Sequence, residues 1–557
     1  MADSKRKRMT ESQTANSKTP VPQDTLLRRW SFFFVYLLFF PALLQLIFGA
    51  FSFSPEEWGN WFGGLLFRGI PGALLLLAAL RLPRRAAPFL MGAVCAAAAL
   101  FNLLDIFLLV NFGTLFDCGT LQLMCIAPAG EVRGFFQLFF MRLTTWVILL
   151  LYPAVGAVIF TVKKQKPLWC ILTILTLTVL IFFNCTARES KSQVPSPAAR
   201  MKHFLQSWQK SRKQITMEST AAALQVSNSD KEALYLLIIG ESHSRRRSSL
   251  YGARRDTTPQ LKKLFLSRRI FRFDNAVTPH VMTHLALPGM LTLAGKDIDN
   301  FYKYPSLPDI FRKAGFKVWY LYNQMPDSES ALPFLAAAKR ANHFISFSNP
   351  VIGYDFQMMD KVEKILGSPG SKKLLILHLK GNHWKYAETF PEEMGYFSRT
   401  GGNSPKERLL NEYDDSLRAL DAFLFQMLQL LQAQKKNAFL LYLPDHGEAL
   451  YEEDDFAGHT DLFPTAASAE LPMFLWFSPD FARPELLAAV QKNLKTPFLS
   501  SDLPHFFMEL AGITSPLFAP ERSFINPRYK KTPRRVSTRS IDYETMKNKS
   551  FPISEPQ

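Results

Sequence analysis

Apolar runs long enough to cross a bilayer crowd the first 187 residues, and none follows. That segregation assigns two environments to one chain before any motif is read. Five spans are expected, at about 31–52, 61–80, 88–112, 143–163 and 168–186, each near the ~20 residues that a hydrocarbon core demands of a helix. Basic clusters set their direction. Ser4-Lys-Arg-Lys-Arg8, Arg28 and Arg29 precede the first span, Arg81, Arg84 and Arg85 follow the second, and Lys163, Lys164 and Lys166 follow the fourth. All fall on one side if residues 1–30 form a cytoplasmic tail, because positive loops stay inside. Five crossings then place everything after Cys185 outside the cytoplasm.

Two charges lie within the spans, Arg68 and Asp105, each about seven residues from an outer end and so roughly 10 Å deep. Pairing them lowers the cost of burying either; contact between Arg68 and a lipid phosphate is the alternative. The formal net charge of +18 points to anionic partners. A basic domain outside the cytoplasm meets no nucleic acid, which leaves membrane lipids and anionic envelope glycans. All five cysteines precede residue 187, so the remainder has no disulfide framework. Cys118 and Cys125 share one loop, as a pair or as two free thiols.

Residues 188–230 read as a linker. From Pro197 to about Leu224, Met201, Phe204, Leu205 and Trp208 share a helical face with basic residues elsewhere, the pattern of a helix lying on a membrane or packed on a soluble domain. Between 231 and 525, strand candidates at 235–240, 317–322, 374–379, 438–443 and 473–477 alternate with helical patterns. Leu417, Leu420, Phe423, Leu424 and Met427 mark a helix from about Glu412 to Gln434. The expected fold is therefore an α-helical membrane domain over 31–187 plus a soluble α/β domain, with a mainly parallel sheet covered by helices on both faces. Residues 526–557 are basic and poor in apolar side chains, a tail that wraps the surface or is partly disordered.

Chemistry concentrates at strand ends. Glu241 follows Tyr235-Leu-Leu-Ile-Ile-Gly240, and Asp445-His446 follow Ala438-Phe-Leu-Leu-Tyr-Leu-Pro444. Thr283 lies in Val277-Thr-Pro-His-Val-Met-Thr-His-Leu-Ala-Leu-Pro288. Groups at the carboxyl ends of parallel strands converge on one edge. Two carboxylates, an imidazole and a hydroxyl suit Zn²⁺, and a metal beside a hydroxyl activates it as a nucleophile.

Several segments resemble the phosphoethanolamine transferases. They are Tyr235-Leu-Leu-Ile-Ile-Gly-Glu-Ser-His243 running on through Ser249-Leu-Tyr-Gly252 to Thr257-Thr-Pro259, Leu307-Pro-Asp-Ile-Phe-Arg-Lys-Ala-Gly315, His378-Leu-Lys-Gly-Asn-His383, Glu412-Tyr-Asp-Asp-Ser416 and Asp445-His-Gly-Glu448. Within that family the chain looks most like the enzymes that decorate the lipopolysaccharide core, with Asn526-Pro-Arg-Tyr-Lys-Lys531 and Ile541-Asp-Tyr-Glu-Thr545 supporting the closer match. The resemblance implies a Gram-negative inner-membrane enzyme whose periplasmic domain has a sulfatase/alkaline-phosphatase-like fold. It implies one Zn²⁺ held by Glu241, Asp445, His446 and Thr283, with a second metal possible in principle. Thr283 would be the nucleophile, phosphatidylethanolamine the donor and lipopolysaccharide the acceptor. His383 and His459 match histidines that bind phosphate or a second metal, and Asn323 matches a contact to the phosphoethanolamine group. The chain departs from the family in Pro444, where serine is common, and in lacking the cysteines that brace the lipid A enzymes.

His243, His280 and His284, close to these motifs, are expected on the surface or behind the ligands. Arg245, Arg246 and Arg247 are expected either to steer an anionic acceptor or to form a solvated basic surface. Two rival functions remain open on sequence: a membrane-anchored phosphodiesterase, sulfatase or glycerol-phosphate transferase of the same fold, and a catalytically inactive envelope scaffold.

Overall fold

The computed structural model describes residues 224–324, 334–347, 354–402, 404–453, 456–461, 464–481 and 483–549. The five expected spans, Arg68, Asp105, Cys118, Cys125 and all but the end of the helix expected over 197–224 lie outside them. Among the described residues no helix is long and apolar enough to cross a membrane.

An eight-stranded sheet organises these residues. Its strands in chain order are β1 (Ala233–Gly240), β2 (Phe271–Val277), β3 (Lys317–Tyr322), β4 (His343–Ser346), β5 (Lys372–His378), β6 (Ala438–Pro444), β7 (Glu470–Phe477) and β8 (Phe498–Leu499). Their order across the sheet is β8-β2-β7-β6-β1-β5-β3-β4. The ladders of β1 with β5 and β6, of β3 with β4 and β5, and of β2 with β8 are parallel. Within this sheet only β7 is reversed, pairing antiparallel with β2 and β6.

The two central strands β1 and β6 are apolar along their length because both faces are covered. Along β1, Tyr235, Leu237 and Ile239 enter one core while Leu234, Leu236 and Ile238 enter the other. The first core is closed by helices α1 (Thr283–Leu291) and α2 (Leu307–Lys313). The second is closed by α3 (Pro405–Ala433), whose Leu420, Phe423, Leu424, Met427 and Leu431 face the sheet. Helix α3 starts ahead of the expected Glu412. Ser404 and Glu407 form a reciprocal capping box with Pro405 in the first turn, a start signal that hydrophobic period misses because that turn is polar.

Register delivers the site. Gly240 pairs with Pro444 and Ile239 with His378, while Tyr322 also pairs with His378. Four neighbouring parallel strands therefore end level, and the residues after them emerge on one edge.

The segment from Asn526 is folded as far as it is described. Arg535–Val536 and Ile541–Asp542 form a small hairpin, followed by a helix at Tyr543–Lys549. Val536 and Tyr543 bury against Val277, Val281, Ala466, Ala469 and Leu499.

Candidate active site

Glu241, Thr283, Asp445 and His446 meet at that edge. Glu241 and Asp445 leave β1 and β6, and Asp445 N bonds back to Gly240 O at 3.1 Å. Thr283 arrives differently, as the first residue of α1 after the loop that follows β2. Its hydroxyl donates to Glu241 Oε2 at 3.2 Å and lies 3.4 Å from His446 Nε2. His446 Nε2 is 3.3 Å from Glu241 Oε1 and 3.6 Å from Asp445 Oδ2. The positive end of α1 begins at this hydroxyl and favours negative charge there.

The tautomer of His446 follows from its other nitrogen. Nδ1 lies 2.9 Å from Gly447 O and donates to it, which turns Nε2 toward the two carboxylates and Thr283. Gly447 is required by proximity: a Cβ there would stand 2.4 Å from Ala467 O and 2.8 Å from Glu470 O.

Glu241, Asp445 and His446 are buried, which makes their charges interdependent. Burial would raise Glu241, but the His446 imidazole beside it holds the carboxyl well below its usual range. Burial and the neighbouring Glu241 charge push Asp445 up to about 8. Burial opposes charging His446, yet Asp445 and Glu241 together raise it to about 10. Two buried carboxylates thus face one imidazole, an arrangement that positive charge between them stabilises.

The donor set fits a divalent metal. Asp445 Oδ2 has no hydrogen-bond donor among the described residues. One ligand atom each from Glu241, His446 and His459 lies within 4.8 Å of the others, as does one each from Glu241, His378 and Asp445. Mixed nitrogen and oxygen donors at such closeness suit Zn²⁺.

His383 and His459 are half-buried at the rim. The His459 ring lies 4.0 Å from that of His446. Its Nδ1 is 2.5 Å from Glu448 Oε2, while Glu448 Oε1 accepts from Tyr386 at 2.5 Å, so a buried carboxylate orients the imidazole. His383 sits in the turn after β5, where Asn382 N donates to Glu241 O at 3.0 Å.

Asn323 follows β3 but is occupied elsewhere. It donates to Asp355 Oδ1 at 2.8 Å and accepts from Gln357 Nε2 at 2.7 Å. The next residue, Gln324, reaches the site instead, donating to Glu241 Oε2 at 3.2 Å. Sequence reasoning missed Gln324, for which no motif signal existed. It also missed His378, fully buried with neither ring nitrogen partnered among the described residues; its place at a strand end was the available signal.

Of the nearby histidines, His243 and His280 are engaged by residues other than Glu241, Asp445 and His446. His243 is buried with Nδ1 at 2.8 Å from Tyr442 Oη, and burial holds it down to about 3. His280 faces Asp461 at 3.3 Å. Both readings of the arginine run are corrected. Arg246 pairs with Glu470 through two nitrogens and Arg247 does so with Asp414, while Arg245 bonds Asp274 O and Glu470. These cations neutralise buried carboxylates and lack the free charge that steering an acceptor requires.

A mostly parallel sheet whose strand ends gather this hydroxyl, imidazole and carboxylate set defines a class. Residues 233–513 match the sulfatase family, and the chain belongs to it. Among its relatives is phosphoethanolamine transferase EptC of Escherichia coli (strain K12), 29% identical over 330 residues, which are 56% of this chain and 57% of that one. The match thus spans less than two thirds of that relative's length. The crystal structure of the C-terminal periplasmic domain of EptC from Escherichia coli, in complex with Zn, is 27% identical and covers 58% of this chain and 96% of that one at a TM-score of 0.53. The integral membrane protein lipooligosaccharide phosphoethanolamine transferase A from Neisseria meningitidis shares the fold, with 17% identity and a TM-score of 0.58 over 90% of this chain and 99% of that one.

Proposed function

We propose that the protein is an inner-membrane phosphoethanolamine transferase, moving the headgroup of phosphatidylethanolamine through a covalent Thr283 intermediate to the core of lipopolysaccharide. The observation that carries this reading is the Thr283 hydroxyl within 3.4 Å of both Glu241 and His446. Relatives named phosphoethanolamine transferases support the group transferred. The five apolar runs before residue 187 support a membrane anchor with the catalytic domain in the periplasm.

Glu241, Asp445 and His446, with the Thr283 oxygen, would hold Zn²⁺; a zinc-bound relative supports that choice. When bound, the metal supplies positive charge that stabilises a threonine alkoxide and the phosphoryl oxygens. Glu241 accepts the Thr283 hydroxyl hydrogen bond and orients the oxygen for attack. In the first half-reaction the Thr283 oxygen bonds to phosphorus and the bond from phosphorus to the glycerol oxygen breaks. The threonine proton is matched by the one that diacylglycerol gains. In the second, an acceptor oxygen bonds to phosphorus, the bond to Thr283 breaks, and the acceptor's proton returns to threonine. His383 and His459 contact phosphate oxygens from the rim, the latter steadied by Glu448. Tethering raises the effective concentration of a lipid donor.

Intact-mass measurement tests the reading. The full chain and Thr283→Ala are each exposed to phosphatidylethanolamine and Zn²⁺ in detergent. A phosphoethanolamine adduct on the threonine form alone is expected. An untouched lipid and no adduct would overturn it, and release of phosphoethanolamine without dependence on an acceptor would make the protein a hydrolase.

A further inference from the structure

We propose that Asp461, with the C-terminal hairpin at residues 535–542, is a clamp that positions Thr283 against the carboxylate–histidine cluster. The inference goes beyond the proposed transfer and rests on it only in taking Thr283 as the attacking group. Glu241, Asp445 and His446 follow directly on strands that are laddered as far as Gly240 and Pro444, and Asp445 N bonds Gly240 O. Thr283 instead follows the irregular loop 278–282, and a loop holds an atom only as firmly as its own partners do.

Those partners come from three distant segments. Thr278 N donates to Ala469 O at 2.9 Å and Ser537 N to Pro279 O at 2.8 Å. Val281 N donates to Asp461 Oδ1 at 3.0 Å. Asp461 Oδ2 accepts from Thr538 N at 2.8 Å and faces His280 Nδ1 at 3.3 Å. The Ser537 hydroxyl also bonds Asp461 O. One carboxylate, 5% exposed, thus joins the threonine loop, the C-terminal hairpin and the segment that carries His459.

The hairpin is itself anchored. Arg534 Nη1 donates to Asn275 Oδ1 at 2.6 Å and to Asn275 O at 3.1 Å, and the Tyr543 hydroxyl to Glu470 Oε1 at 3.0 Å. Val536 packs in one apolar cluster with Val281 and Val277. Ser537 stands at φ +71°, a left-handed conformation that a non-glycine residue keeps only where its surroundings impose it. The hairpin also lies beyond the residues that match the sulfatase family, which end at 513. Misplacing a reacting atom by about 1 Å costs on the order of 100-fold in rate.

The test compares the full chain with Asp461→Ala and Asp461→Asn. Hydrogen exchange is read across the domain, together with phosphatidylethanolamine turnover. Asp461→Ala is expected to speed exchange in 279–285 and 536–540 together while sparing 236–244 and 440–448. Turnover kcat should fall about 100-fold with KM unchanged, and Asp461→Asn, which keeps an acceptor for only one of Val281 N and Thr538 N, should fall by less. Unchanged exchange at 279–285, exchange rising throughout the domain, or wild-type kcat in Asp461→Ala would overturn the clamp. Should the wild-type chain turn over no phosphatidylethanolamine, the transfer reading fails, and the exchange pattern alone decides the clamp.

Discussion

Replacing Gly381 by alanine should loosen the metal site without touching a ligand. Gly381 turns the chain after β5 at φ +52°, and a Cβ there would lie 2.9 Å from Glu241 N, 3.0 Å from Glu241 O and 3.2 Å from Glu241 Cβ. Gly315 provides the control: it has φ +86°, and a Cβ there would meet nothing within 4 Å. Alanine pays roughly 1–2 kcal/mol for the left-handed conformation at either place. Only at 381 must backbone also give way, because the obstructing atoms are main chain and cannot rotate aside. Restoring ordinary contact requires Glu241 to move by about 0.5 Å, the tolerance within which a binding constellation must be held. Zinc affinity of the full chain, measured by competition with a chromophoric chelator, should fall about 10- to 100-fold in Gly381→Ala and stay near wild type in Gly315→Ala. Thermal unfolding should show both destabilised, with 381 the worse. Equal zinc affinity in the two variants would refute the claim that close approach to Glu241 is what demands glycine.

Other outcomes follow from the same geometry. Glu448→Gln removes the carboxylate that orients His459, so transfer should drop about 10- to 100-fold while intact-mass analysis still finds Thr283 competent. Burial keeps His243 neutral down to about 3, whereas an unfolded histidine titrates near 6.5. Its stabilising contribution is therefore complete above about pH 6.5 and is lost as the pH falls toward 3, by about 2 kcal/mol at pH 5. His243→Gln should flatten the change in melting temperature between pH 7.5 and 5. Arg247→Met strips the two-nitrogen partner from buried Asp414, leaving Arg255 at 2.8 Å; a loss of about 3 kcal/mol is expected, seen as a lower melting temperature. Chelating the metal should lower that temperature as well, since a ligand at about 100 times its Kd contributes about 2.7 kcal/mol.

The legible parts of this chain are those where one segment carries its own signal. All five strands expected from apolar runs are present, because strands buried on both faces carry continuous apolar runs. Strand β2 gives no such signal because Phe271-Arg-Phe-Asp-Asn-Ala-Val277 sits toward the sheet edge and mixes charges into its pattern. Strand β8 has two residues, too few for any period. Glu241, Asp445 and His446 are readable because a residue after a strand must emerge at the sheet edge. Thr283 is harder to read, since its placement depends on a loop, and motif resemblance carries most of its signal.

What stays hidden is partnership across long separations. Arg247 looks like part of a free basic run, and its partner Asp414 is 167 residues away. Asp461 has no motif to mark it, yet its carboxylate meets Val281, 180 residues earlier, and Thr538, 77 later. A carboxylate's role is set by which donors the fold brings to it, and local composition carries no trace of them. The same reasoning separates Asn323 from Gln324: both follow β3, but alternate side chains leave a strand on opposite sides. Asn323 is drawn into the Asp355 network, and Gln324 reaches Glu241. A strand end therefore predicts which edge a residue reaches, whereas the neighbouring loops decide whether it touches the chemistry.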